Sequence, residues 1–195
     1  MEREAKLAEV LQLYADYGAN DYHGEAVTQL DHMYQMAVLA EEAGYDEEVV
    51  LAAFLHDIGH LLDDAGMLPA MDGYGVADHE KVGADYLRKL GLSERIASLV
   101  ESHVEAKRYL VSTDPLYESQ LSDASRHTLR LQGGEMTSEE VSDFESSPLF
   151  SLKVQFRRWD DAAKRSDQRI GNWERFREML GKHLISQDST KPANF

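Results

Sequence analysis

"LAAFLHDIGHLLDD", residues 51–64, runs apolar for five positions and then sets His56, Asp57 and His60 where a buried helix would continue. A helix that is apolar nearly all round belongs at the centre of a fold, so these three polar residues enter the core with it. On a helix His56 and His60, four apart, share a face, while Asp57 sits about 100° round from His56. A lone buried histidine is ordinarily a hydrogen-bonded core residue. A His–Asp pair directly after "AAFL" is harder to accommodate. Burying an ionised carboxylate without a partner is costly, and a di- or trivalent cation is among the few partners that compensate carboxylate and imidazole at once. The stretch can also be read as a variant of the zinc-peptidase pattern H-E-x-x-H, whose middle acid is a general base. That reading fits less well, because Asp lacks the reach of Glu and Gly59 weakens the rigid helix the pattern requires.

The rest of the composition narrows the chemistry. With 195 residues, 43% of them hydrophobic, the chain is long enough for one sizeable core, and a single domain is expected over 1–186 with a tail at 187–195. The absence of cysteine removes disulfides, thiolate nucleophiles and thiolate metal sites, leaving His, Asp and Glu as the strong ligands. A formal charge of -16 opposes nucleic-acid binding, and a small anionic ligand would need concentrated local cations. No stretch reaches the roughly 18 apolar residues of a membrane span. "MEREAKLAEV" does not read as a secretion signal, so the expected location is the cytoplasm, with neither a membrane nor an obligate protein partner.

Apolar spacing and capping residues predict an all-α chain. Helices are expected over 2–17, 24–43, 46–62, 78–90, 93–106, 115–131, 137–145, 148–166 and 172–186. Gly44 suits a helix C-cap, and Ser93, Asp114 with Pro115, and Thr137 suit helix starts. The Gly- and Pro-containing segment "DDAGMLPAMDGYGVADHE" is a long loop that delivers His79.

Further candidates are scattered along the chain: His32 in the helix at 24–43, His79 after the loop, His103 in "LVESHVEAKRYL" and Asp160 in "FRRWDDAAK". Singly, each is ordinary; together they read H…HD…H…H…D. In that order the sequence resembles the HD-domain superfamily, a helical bundle with a buried metal site, and His79 and His103 point to its binuclear members. Most members are phosphohydrolases, and a minority are mixed-valent di-iron oxygenases. The stretches "DYHGEAVTQLDH", "DGYGVADHEKVGADYLRKLG", "HVEAKRYLVS", "LSDASRHTL" and "RRWDDAAK" are similar to the oxygenase branch that cleaves the C–P bond of 1-hydroxy-2-aminoethylphosphonates, free or N-trimethylated.

The resemblance implies a site. His32, His56, Asp57 and Asp160 would hold one iron, His79 and His103 the second, and Asp57 would bridge them. Asp160 rather than Asp161 is the expected ligand because it directly follows Trp159 in the matched pattern. Two iron ions, Fe(II) and Fe(III), would be the cofactors, with O2 as co-substrate and phosphate plus glycine or glycine betaine as products. The substrate is implied to be a small organophosphonate bound by His60, Lys107, Ser125 and Arg157, with Glu25 facing its cationic amine. Tyr22 would contact substrate or fill the open iron position before it binds; Asp57, His60 and Tyr22 are thus the residues expected at the reaction. Tyr34, Tyr74 and Tyr109 are further aromatic candidates for surrounding a trimethylammonium group. The alternative is a metal-dependent phosphohydrolase acting on a phosphate ester or nucleotide, which would work without O2. A non-catalytic sensor is the other rival, against which the full ligand set argues.

Overall fold

A computed structural model describes residues 2–22, 24–67, 78–168 and 170–190. Among them the chain is all-α, in eleven helices: α1 Glu2–Tyr17, α2 Gln29–Glu42, α3 Glu47–Leu55, α4 Ile58–Asp64, α5 His79–Leu90, α6 Glu94–Thr113, α7 Tyr117–Gln120, α8 Asp123–Leu131, α9 Ser138–Glu145, α10 Phe150–Ala162 and α11 Glu174–Thr190. No described helix is long and apolar enough to cross a membrane. Residues 68–77, including most of the expected glycine loop and Tyr74, lie outside the described residues.

α3 is the axis of the fold. Asp46 caps it by accepting from the amides of Glu48 and Val49, and Glu47 and Glu48 favour its N-terminal dipole. From Val49 to Leu55 every residue is buried, because α2, α6 and α11 pack around it. Phe54 stacks between Tyr14 of α1 and Phe176 of α11, at centroid distances of 4.8 and 4.7 Å. The Tyr14 hydroxyl donates to the Phe54 carbonyl at 2.7 Å, so the ring is buried without an unmet polar group. Replacing Phe176 with Ala is expected to cost ~3–5 kcal/mol, the range for a truncated core phenylalanine. The check is the urea midpoint at an unchanged slope.

The structure departs from the predicted helices at several points. The expected helix 46–62 breaks at His56 and Asp57: Asp57 leaves helical geometry (φ -104, ψ 19) and α4 starts afresh after it. Asp57 is therefore the N-cap of α4, yet its side chain makes no capping hydrogen bond, being turned inward. The helix expected from 24 starts at Gln29, capped by the box of Thr28 and Asp31. Before it, residues 21–22 and 24–28 are drawn into a loop by the Asp21–Thr28 bridge and by the Tyr22 amide donating to the Val27 carbonyl, with Gly24 at φ 87. Helix 115–131 is divided into α7 and α8, where Leu121 is extended and Ser122 caps α8. α6 runs to Thr113 rather than 106, because burial of Leu110 and Val111 outweighs the weak helix propensity of its last turn. α10 stops at Ala162, short of the expected 166, and α11 continues to Thr190, past the expected 186.

Candidate metal centre

Six helices converge on one buried cluster. His32 comes from α2, His56 and Asp57 from the junction of α3 and α4, His79 from the first residue of α5, His103 from α6 and Asp160 from α10. All six are buried, between 0 and 6% exposed.

The geometry divides them into two halves. His32 and His56 bring their Nε2 atoms to 3.1 Å, and His79 and His103 bring theirs to 2.9 Å. Asp57 lies between the pairs. Its Oδ2 is 3.5 and 3.2 Å from the Nε2 atoms of His32 and His56, and its Oδ1 is 3.5 and 3.4 Å from those of His79 and His103. Asp160 Oδ1 completes the first half at 3.3 Å from His32 Nε2.

The imidazole tautomers follow from the outer partners. Nδ1 of His32 faces the Ala163 carbonyl at 2.9 Å, Nδ1 of His56 the Ala53 carbonyl at 2.9 Å, and Nδ1 of His103 the Val100 carbonyl at 2.7 Å. A carbonyl only accepts, so each Nδ1 carries a proton, and in the neutral ring each Nε2 turns a lone pair inward. His79 is oriented by Glu80, whose carboxylate is 3.5 Å from its Nδ1. Facing lone pairs repel unless something positive lies between them. Asp57 Oδ2 and Asp160 Oδ1 are likewise buried with no hydrogen-bond partner. These orphaned acceptors and inward lone pairs fit metal cations. Ligand bonds of about 2.1 Å at right angles would set neighbouring donors about 3.0 Å apart, close to the observed separations.

Without a metal, a proton supplies part of that positive charge. Burial disfavours charge on His32, but Asp160 and Asp57 outweigh it and lift its pKa to about 9. Burial drags His103 down to about 3, against the pull of Asp57. Burial opposes ionisation of Asp57 and Asp160 too. The facing histidines, with Arg157 for Asp160, nevertheless hold both well below the usual carboxylate range. The cluster is thus anionic acceptors around positions where positive charge is needed.

His60 flanks this centre, stacked on His79 at 4.1 Å and edge-on to Tyr22 at 6.3 Å. One donor atom each from Asp57, His60 and His79 also lie within 4.8 Å of one another. The closer Nε2 contact of His79, however, is to His103. α4 and α5 can meet here because residue 59 is glycine: a Cβ on Gly59 would sit 2.1 Å from the His79 carbonyl oxygen. Asp78, at φ 65, takes the left-handed conformation that turns the chain into His79.

Two buried basic side chains adjoin the centre. Lys107 is buried on α6 and donates to Thr128 Oγ1 at 3.1 Å; burial, with Arg157 alongside, pulls its pKa down to about 7. A bound anion would restore its charge. Arg157 is more committed than its sequence reading implied. Its Nε donates to the Tyr117 hydroxyl at 3.1 Å, one terminal nitrogen to Asp160 Oδ2 at 2.7 Å, and the other to Asp161. It therefore steadies Asp160, with part of its fork left for an anion. Asp161 is held by Arg157 and Tyr117.

Tyr22 and Glu25 come from the 21–28 loop. Tyr22 stacks on the His32 ring at 4.1 Å, and the nearby charges of Asp57 and Asp160 add to burial in raising its pKa. Glu25 accepts from the Ser122 hydroxyl and pairs with Lys164 at 3.1 Å, and Lys164 also donates to Ser125 Oγ at 2.9 Å. Lys164 was not singled out in the sequence, although it closes the quoted stretch "RRWDDAAK". Of the other aromatic candidates, Tyr34 packs on Phe176 and Tyr109 on Phe144 and Phe150, both away from this loop.

The chain is also similar in sequence to known proteins. A family model described as HD domain matches residues 30–141. The chain is 42% identical over 175 residues to an uncharacterised protein of Acanthamoeba polyphaga mimivirus, covering 90% of this chain and 80% of the relative. It is 42% identical over 171 residues to the [1-hydroxy-2-(trimethylamino)ethyl]phosphonate dioxygenase (glycine-betaine-forming) of Leisingera caerulea, covering 86% of each. It is 40% identical over 167 residues to the hydroxymethylphosphonate dioxygenase of Gimesia maris, covering 84% of this chain and 79% of the relative.

Proposed function

The chain belongs to the HD-domain family, and on that premise we propose that it is a metal-dependent dioxygenase that cleaves the C–P bond of a small 1-hydroxyphosphonate, with an Fe(II)/Fe(III) pair as its metals. The observation that carries this reading is the division of Asp57, one oxygen toward each histidine pair, in a chain similar along most of its length to two phosphonate dioxygenases. Those relatives favour an oxygenase over a phosphohydrolase.

His32, His56, Asp57 and Asp160 would hold one iron, and His79, His103 and Asp57 the other; nitrogen and oxygen donors suit non-haem iron. When bound, the metals supply the redox chemistry with O2. The protein contributes the rest. Lys107, Ser125 and Arg157 bind the phosphonate, bringing positive charge that the acidic chain as a whole lacks. His60 and Tyr22 flank the reacting carbon, and the surrounding helices exclude water. The balanced reaction consumes one O2 per C–P bond, one oxygen atom ending in phosphate and the other in a carboxylate.

The test is phosphate release from hydroxymethylphosphonate and from the free-amine and N-trimethylated 1-hydroxy-2-aminoethylphosphonates, in air and under argon, with iron measured on the same sample. Release is expected only with O2, one phosphate per O2 consumed. Undiminished release under argon would favour the hydrolase.

A further inference from the structure

The family resemblance implies that Glu25 faces a substrate ammonium, and in the structure a cation of the chain itself already stands there. The Glu25 carboxylate is paired with Lys164 Nζ at 3.1 Å, both side chains being 13% exposed, and also accepts from the Ser122 hydroxyl. The same Nζ donates to Ser125 Oγ at 2.9 Å and stands 5.7 Å over the Tyr22 ring. Lys164 therefore touches both ends of the expected binding site: the carboxylate at the amine end, and the serine and aromatic ring nearer the metals. Its charge also reaches Lys107, where it helps to depress that group.

We propose that Lys164 is a specificity-determining residue, an internal counter-ion for Glu25 that a substrate ammonium displaces. A phosphonate with no amine binds with the Glu25–Lys164 pair closed, and the carboxylate then offers it no uncompensated negative charge. A phosphonate carrying an ammonium takes Glu25 for itself and releases Lys164 to turn through Ser125 toward the phosphonate. Both classes are thus accepted, and Lys164 sets the preference between them. Glu25 also lines an open depression of ≈ 490 Å³ with Gly24, Ala26, Thr28, Ser166 and Gln168.

This inference rests on the phosphonate reading, and its test separates the two. Binding of hydroxymethylphosphonate and of 1-hydroxy-2-(trimethylamino)ethylphosphonate is measured by calorimetry under argon on the metal-loaded full chain, and kcat/KM by phosphate release in air. Lys164→Met leaves Glu25 unpaired. It is expected to weaken both ligands but to shift the ratio of affinities toward the trimethylammonium compound by at least about tenfold, the scale of one buried charge interaction. Glu25→Gln is expected to shift the ratio the other way, and the double variant to return it toward wild type. Lys164→Arg, which keeps the cation, should retain the wild-type ratio and shows that charge rather than folding is read. An unchanged ratio in Lys164→Met overturns the inference, as does binding of neither compound by the wild type. Binding without phosphate release in air overturns the proposed reaction and leaves the affinity ratio to judge Lys164.

Discussion

Asp57→Ala is expected to empty both halves of the centre and to lower phosphate release by more than about 100-fold, the upper end of what losing even an outer partner of a metal ligand costs. The reason is that among the described residues Asp57 is the one that faces both pairs: Oδ2 faces His32 and His56, while Oδ1 faces His79 and His103. Without the carboxylate, two bound cations would face four neutral imidazoles and, among the described ligands, Asp160 alone would offset their charge, so neither cation is held. Metal per chain, measured after gel filtration, checks the result. Two metals retained by Asp57→Ala would refute the bridging role. Asp57→Asn keeps the shape and removes the charge, so similar loss in that variant would assign the effect to charge rather than to a collapsed cavity.

Gly59→Ala is expected to damage one half of the centre and spare the other. Gly59 is helical, so by intrinsic propensity alone Ala would stabilise α4 by about 1 kcal/mol. Packing reverses that sign. The added methyl would meet the His79 carbonyl oxygen at 2.1 Å, its carbon at 2.8 Å and its Cα at 3.1 Å, all backbone atoms that cannot rotate aside. Gly83 packs against the same spot, where its own Cβ would come 3.2 Å from the Gly59 nitrogen. α5 must then move back, costing ~1–3 kcal/mol as overpacking and carrying His79 away from His103 and Asp57. The expected readout is metal content falling from two to about one per chain with the helical circular dichroism retained. A more stable variant with full metal content would show that the α4–α5 contact is not what places His79.

Much of this was legible in the sequence. The apolar run before His56 can only be buried, and a His–Asp pair inside a core demands a cation, so a central helix and a metal site both follow from residues 51–60. The absence of cysteine restricts the donors to nitrogen and oxygen. The order of His32, His79, His103 and Asp160 along the chain, joined to a family resemblance, pointed to the residues that the fold brings together with His56 and Asp57. Periodicity found the helices but misplaced ends such as the start of α2 and the break at Asp57, because those are fixed by a Thr28 cap, a left-handed Gly24 and an inward-turned side chain.

Tertiary structure alone decided how the charges are shared. The family resemblance treats Arg157 and Glu25 as groups waiting for a ligand, since a position in the sequence does not reveal its partners in the fold. In the fold Arg157 is spent partly on Asp160 and Asp161, and Glu25 on Lys164, 139 residues away along the chain. Gly59, read from sequence as a weakness in the helix, is the position that lets α5 approach. Local propensity is a property of a few neighbouring residues and is written in their order. Counter-charges and close backbone contacts join segments far apart in the chain, and they exist only once the helices have packed.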